Sequence, residues 1–409
     1  MQQLLELLLE KIGKVFFGHI EEVKMKVLTA TWAIYDERIK EFENVRSGGG
    51  LIIKNLCEEL GKHIESYLII WRDDLPQMEL GRIHLVKNYG NSKVILSEDK
   101  EKRIADRMSI RKAAFERALE DIKPDLVSFQ GMSEISIECM KICDAKKIKY
   151  IYTEHLFIRR DKDFVENAEA LEWEQVLYNK PELNIVAISN GMKKCILHDF
   201  PQFSEDKITV IPNGTDFKPV KYESDIVEKY NLRGKKILIC AGSICQRKNQ
   251  IAIVNAYEDI DADIRANIAV IFLGNDRLKG DLSEAICQSG NQKNLIYAGA
   301  VSSEEMKEYY SIADGLIMPS FAEGLSIAAL EMIAYGKPII MFSDSECVDD
   351  LNDPKISVLA KERTNAGLAK AIEKWYFQEW DTEYIKKFSD YFSMERVTED
   401  YLEYYRSII

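Results

Sequence analysis

Two carboxylates, Glu323 and Glu331, are set within SFAEGLSIAALEMIAYGKPII, Ser320 to Ile340. The run Ser326 to Tyr335 is rich in Ala, Leu, Ile and Met, Gly336 stands where a helix commonly stops, and Pro338 bars continuation into the apolar stretch Ile339 to Phe342. The segment therefore reads loop, helix, buried strand, with Glu323 just before the helix and Glu331 about two turns inside it. Eight residues of helix advance about 12 Å, comparable with the distance from a transferred sugar, past its diphosphate, to a ribose. Backbone amides at Gly324, Leu325 and Ser326 would meet the diphosphate, because a helix start leaves N–H groups unpaired. Taken alone, the pair also reads as two solvated glutamates on an ordinary helix.

A second segment, KKILICAGSICQRKNQ (Lys235 to Gln250), runs an apolar strand into a turn at Gly242 and Ser243, and then into the adjacent cations Arg247 and Lys248. At a strand end these would neutralise charge on a departing diphosphate, arginine through a forked pair of hydrogen bonds and lysine as a point charge. Without the strand and turn, such a pair is ordinary surface charge. His155 follows the short apolar strand KYIYT, whose C-terminal end should open toward a cleft. A histidine without that setting reads as a structural residue, and His19, His63, His84 and His198 stay unassigned. Gly48, Gly49 and Gly50 would let backbone approach a ligand at a helix start, with Leu51, Leu56 and Leu60 spaced as a buried stripe. A flexible surface loop is the other reading of that glycine run.

These segments and their neighbours occur in a fixed order: KVLTATWAI and its glycine run, YIYTEHLFI, VAISNGMKKCIL, VIPNGTDF, the turn with its cations, NLIYAGAVSSEEMKEYYSIADGLIMPSFAEG, and FSMERVTEDYLEYYRSI. The set resembles glycosyltransferase family 4, over roughly residues 25 to 409, and the order is more specific than any one motif. The resemblance implies an α/β GT-B fold of two Rossmann-like, doubly wound domains facing across a cleft. Residues 25–215 would form the acceptor domain, 216–380 the nucleotide-sugar domain, and 381–409 a helix returning to the first.

The same resemblance implies a retaining, hexosyltransferase-like enzyme that moves a sugar from a nucleotide-sugar donor, a UDP-sugar, to a glycan, glycolipid or glycoprotein acceptor. The departing phosphate oxygen would take the acceptor proton, so no protein base is required. Glu323, His155, Lys248 and Arg247 are the implied catalytic set. The nucleotide sugar would lie against Gly48, Gly49, Gly50, Gly242, Ser243, Arg247, Lys248, Val301, Glu323, Gly324, Leu325, Ser326 and Glu331, with Glu331 on the ribose. Many members carry arginine directly after the glycine, where this chain has Ser243; Arg247 is expected to replace it.

No cofactor or metal is expected, the sugar nucleotide being a substrate. Asp259, Asp261 and Asp263 lie in DIDADIRAN without a strand end before them and read as a solvated loop. The eight cysteines show no paired metal-ligand spacing, and free intracellular thiols in a cytoplasmic protein are the simplest account. A chain of 409 residues with 46% apolar content and nine prolines is ample for two compact domains. Its formal charge of −13 argues against nucleic-acid binding, since phosphate backbones would be repelled.

Residues 1–23 place Leu5, Leu8, Leu9, Ile12, Phe16 and Ile20 along one stripe, with Glu6, Glu10, Lys14 and Glu21 largely elsewhere. Such an amphipathic helix is too charged to span a bilayer and lacks a secretory cleavage pattern. Peripheral contact with a membrane, oligomerisation and packing on its own domain all remain open for it. Two further readings of the whole chain stand beside the enzyme: a noncatalytic GT-B subunit that binds a sugar nucleotide or glycan, and a sugar-nucleotide epimerase.

Overall fold

The computed structural model describes residues 24–32, 34–35, 48–71, 80–86, 99–160, 168–220, 222 and 224–409. The expected amphipathic helix of residues 1–23 lies outside them. Two all-parallel sheets organise the described residues. The first has seven strands, β1 (Lys26–Thr31), β2 (Glu65–Ile70), β3 (Ile83–Leu85), β4 (Leu126–Gln130), β5 (Tyr150–Glu154), β6 (Asn184–Ala187) and β7 (Ile208–Val210), in the order β3-β2-β1-β4-β5-β6-β7. The second has six, β8 (Lys236–Ala241), β9 (Ile268–Leu273), β10 (Leu295–Gly299), β11 (Gly315–Met318), β12 (Ile339–Phe342) and β13 (Ser357–Ala360), in the order β10-β9-β8-β11-β12-β13.

Helices cover both faces of each sheet, so the central strands are buried on both sides and do not alternate between buried and exposed residues. Every residue of β4, β9, β11 and β12 is buried. Strand order reverses between β1 and β4 in the first sheet and between β8 and β11 in the second, and ligands of open α/β sheets bind at the carboxyl ends of strands at such a switch. The glycine helix Gly48–Leu60 follows the β1 end, Gln130 closes β4, and His155 follows β5. The Arg247–Lys248 turn follows β8, and Glu323 follows β11.

Chain crosses between the sheets twice, side by side. The outgoing strand at Thr215 pairs with the returning one at Ser393: Thr215 N–H donates to the Phe392 carbonyl at 2.8 Å and Met394 N–H to the Thr215 carbonyl at 3.1 Å. The return begins later than expected from sequence. Helix Thr382–Ser389 stays with the second sheet, against Ile327–Ala334, because Thr382 and Lys386 pack over Gly336, whose φ of +73° ends that helix. Only Met394–Ile408, capped by Ser393, lies on the first sheet. Its Met394, Val397, Tyr401, Leu402 and Tyr405 share a core with Val27, Leu56, Leu126, Ile151, Val186 and Ile211. Each such buried side chain contributes about 1.5–3 kcal/mol, enough to hold the second crossing in place.

Among the described residues no helix is long and apolar enough to cross a membrane. Asp261, from the Asp-x-Asp-x-Asp run, caps helix Ala262–Ala266 by accepting from the N–H groups of Asp263 and Ile264.

Candidate active site

Because β8 and β11 are neighbours, the loops that leave their carboxyl ends are stitched together. Phe321 N–H donates to the Arg247 carbonyl at 2.8 Å, Arg247 Nη1 donates to the Ala322 carbonyl at 3.0 Å, and Asn249 Nδ2 to the Pro319 carbonyl at 3.2 Å. The turn depends on glycine. Gly242 has φ of +132°, and a side chain there would meet Lys248 Cε at 3.4 Å; one on Gly274 would lie 2.0 Å from the Gly242 carbonyl oxygen.

Both cations converge on one carboxylate. Lys248 Nζ lies 2.5 Å from Glu323 Oε2 and Arg247 Nη1 lies 3.4 Å from it. Glu323 is buried, which alone would raise its carboxyl, but Lys248 and Arg247, with hydrogen bonds from Lys248 and Ser320, outweigh burial and hold it below the ordinary range. Its backbone N–H donates to Glu346 Oε2 at 2.7 Å.

Glu331 is the fifth residue of helix Ile327–Ala334, so it sits just over one turn inside, not two. Ser320 to Ser326 is loop, since Gly324 and the capping Ser326 delay the helix start. Ser326 caps without a side-chain hydrogen bond, and the N–H groups of Gly324, Leu325 and Ser326 have no partner among the described residues. They remain available to an anion. Burial pushes the Glu331 carboxyl up to about 7, against a lowering hydrogen bond from Tyr310, while Asp216 raises it further.

Across the cleft, His155 follows β5 and its Nε2 lies 2.8 Å from Gln130 Oε1. Burial pushes its imidazole down to about 4, so the ring is neutral at pH 7. A side chain on Gly324 would come within 2.9 Å of the His155 carbonyl oxygen, so glycine lets the Glu323 loop reach the first sheet. Asn213 Nδ2 donates to the Leu325 carbonyl at 3.1 Å. Helix Asn190–Asp199 meets the short helix Val348–Leu351 that follows β12: Asn190 N–H and Nδ2 donate to Asp350 at 2.8 and 2.7 Å, and Lys194 pairs with Asp349 at 2.8 Å.

The fold thus gathers Arg247, Lys248, Glu323, Gly324, Leu325 and His155, with Ser326 and Glu331 on the same loop and helix. Gly48, Gly49 and Gly50 form the first turn of helix Gly48–Leu60 on the first sheet, with open space beside Gly49. Leu51 of the expected stripe is only half-buried, whereas Leu56 and Leu60 are buried. Ser243 contributes its carbonyl to Gln250 Nε2 at 3.0 Å, and the second cation at the site is Arg247. Val301 follows β10, the edge strand two places from β8. Gln130, Tyr310 and Glu346 are not among the residues the sequence points to, and Asn213 enters it only through VIPNGTDF; Gln130 carries a signal as the last residue of a strand at the first switch. Among the described residues no three His, Cys, Asp or Glu side chains gather as metal ligands.

The second half of the chain, residues 223–391, matches the family model of glycosyl transferases group 1, and residues 46–218 match that of glycosyltransferase family 4. An uncharacterised glycosyltransferase of Methanocaldococcus jannaschii is 22% identical over 239 residues, 55% of this chain and 60% of that one. The alpha-monoglucosyldiacylglycerol synthase of Streptococcus pneumoniae is 24% identical over 243 residues, 55% of this chain and 54% of its own. The chain therefore spans a little over half the length of these two relatives. Among solved structures, Anabaena HepE in complex with UDP and glucose superposes with a TM-score of 0.70 at 12% identity, covering 93% of this chain and all of that one. That likeness shows the fold, and the two family models together with the relatives show that this chain belongs to the family 4 type of GT-B glycosyltransferases.

Proposed function

We propose that the protein transfers a hexose, with retention of configuration and without a resident metal, from a UDP-sugar to a glycan, glycolipid or glycoprotein acceptor. The observation that carries this reading is the meeting of Lys248 and Arg247 with Glu323 beside three backbone N–H groups that have no partner among the described residues. The second sheet would bind the donor: diphosphate on the amides of Gly324 to Ser326 and on both cations, ribose on Glu331, sugar between Glu323 and His155. An acceptor would enter from the first sheet. As the glycosyl–oxygen bond breaks, negative charge grows on the diphosphate, where preorganised amides, Lys248 and Arg247 stabilise it. The departing oxygen takes the acceptor proton on the same face, and Glu323 positions the sugar. Cations and a helix start supply the compensation that a divalent ion gives elsewhere. A UDP donor is favoured by the UDP and glucose bound in the Anabaena structure, and a lipid acceptor would follow the streptococcal relative.

A panel of nucleotide sugars, followed for binding and slow hydrolysis with the purified full chain, tests the reading. A UDP-sugar should bind and turn over with EDTA present, giving the anomer of the donor, while Lys248→Ala and Glu323→Gln lose roughly 10²–10³-fold in kcat. An inverted product would remove retention; tight binding with no turnover under any acceptor condition would favour a noncatalytic subunit.

A further inference from the structure

Gln130 ends β4 at the first switch point, between β1 and β5: it is in register with Thr31 on one side and Thr153 on the other. The residue is 4% exposed and its side-chain amide is fully engaged. Gln130 Nε2 donates to Ser128 Oγ at 2.9 Å and to Thr153 Oγ1 at 3.2 Å, and Gln130 Oε1 lies 2.8 Å from His155 Nε2. Both hydroxyls are met in turn by the returning helix: Tyr401 OH lies 3.5 Å from Thr153 Oγ1, and Tyr405 OH lies 3.4 Å from Ser128 Oγ. Gln130, His155 and Tyr401 also line one small cavity with Asn213, Gly214 and Met394, at the place where the chain crosses between sheets.

An amide oxygen accepts and never donates, so the ring nitrogen facing Gln130 Oε1 must carry the hydrogen. A neutral imidazole has only one N–H, and the other nitrogen is then a lone-pair acceptor. We propose that Gln130 is a positioning residue for His155: it holds the imidazole as the Nε2–H tautomer, so that Nδ1 accepts a hydrogen bond from a hydroxyl of the bound sugar, and Tyr401 and Tyr405 hold Gln130 in turn. The C-terminal helix, distant in sequence, thereby decides which nitrogen the cleft receives. The sugar in this statement rests on the proposed function; the tautomer does not.

The full chain labelled with 15N-histidine has five imidazoles, and His155 is assigned by its loss in His155→Asn. Long-range 1H–15N correlations at neutral pH are expected to show Nε2 protonated and Nδ1 bare. Gln130→Leu should abolish that preference and give a mixed tautomer, with kcat for sugar transfer about tenfold lower; Gln130→Glu, which keeps an acceptor oxygen in place, should retain the proton on Nε2. An Nδ1–H pattern in the parent protein, or a His155 signal unchanged in Gln130→Leu, overturns the proposal. Should Gln130→Leu not fold, the parent and Gln130→Glu spectra still decide it. Absence of any sugar transfer would defeat the proposed function and leave the tautomer result standing.

Discussion

Glu346 holds Glu323 by its backbone: the Glu323 N–H donates to Glu346 Oε2 at 2.7 Å, while Lys248 takes the Glu323 side chain. Burial raises the Glu346 carboxyl, and the N–H it accepts works against that rise. Removing the acceptor leaves a buried N–H unsatisfied, a cost of about 1–3 kcal/mol, at the residue proposed to position the sugar. Glu346→Ala is therefore expected to lower kcat at least tenfold, and Glu346→Gln, which keeps a carbonyl oxygen, to restore most of it. Steady-state transfer in the two variants checks this; equal losses in both would mean that the negative charge matters and the acceptor does not.

The same loop sets how closely the sheets approach. A methyl group on Gly191 would sit 1.8 Å from the Glu346 carbonyl oxygen, a separation that no packed structure tolerates. Gly191→Ala must push helix Asn190–Asp199 away from the loop after β12, straining the Asn190–Asp350 and Lys194–Asp349 contacts. Misplacing groups by about 1 Å costs on the order of 10²-fold in rate. We expect kcat/KM for the donor to drop by that order and the radius of gyration in small-angle scattering to rise. Unchanged values for both would show that the observed contact is absent from the working state.

Much of this arrangement was legible in the chain because parallel strands buried on both faces appear as short apolar runs, and the candidate site residues fall just after them. Lys248, Glu323 and His155 could be picked out for that reason. Glu346 could not: its importance comes from a hydrogen bond to a backbone N–H in a separate loop, and nothing in SDSECVDD announces it. Gly191 was equally silent, since its need for a missing side chain arises only when two sheets meet. Helix starts were hard to place for a local reason. The Glu323 loop runs on to Ser326, which shortens the distance to Glu331 along the helix, and the chain's return waits for Ser393 because Thr382 and Lys386 first pack over Gly336.

With Glu331 on the ribose, as proposed, donor binding should depend on pH. Its carboxyl is pushed up to about 7 by burial, which brings its titration into the neutral range. The ionised form accepts two ribose hydroxyls more strongly than the neutral one, so donor affinity should rise as pH rises through about 7. Tyr310→Phe removes the hydrogen bond that lowers this carboxyl, and should move the midpoint of donor binding to higher pH. Glu331→Gln should bind more weakly above that midpoint with no such step. Titrating donor affinity by calorimetry across the range checks the sign, and a step in the opposite direction would exclude ribose binding by the carboxylate.

Beneath His155, Glu154 is buried and accepts from Tyr152 OH at 3.0 Å and Tyr178 OH at 2.8 Å. Burial, with the charge of Glu174 added, pushes its carboxyl up to about 8, although both tyrosines and the Leu156 N–H act to lower it. An unfolded glutamate releases its proton near pH 4.3, so between about 4.3 and 8 the folded chain binds more protons than the unfolded one. Unfolding free energy must then fall as pH rises through that window. Glu154→Gln cannot ionise, retains one carbonyl for a tyrosine hydroxyl, and asks the other hydroxyl to accept from its NH2 group. In thermal unfolding followed from about pH 6 to 9, the parent should lose stability relative to this variant as pH increases, and the difference should flatten above about pH 8. Parallel curves for the two proteins would mean that Glu154 does not titrate within the folded chain over this range, and that the loop carrying His155 is held by the Arg159–Glu174 pair at 2.7 Å without help from a protonated neighbour.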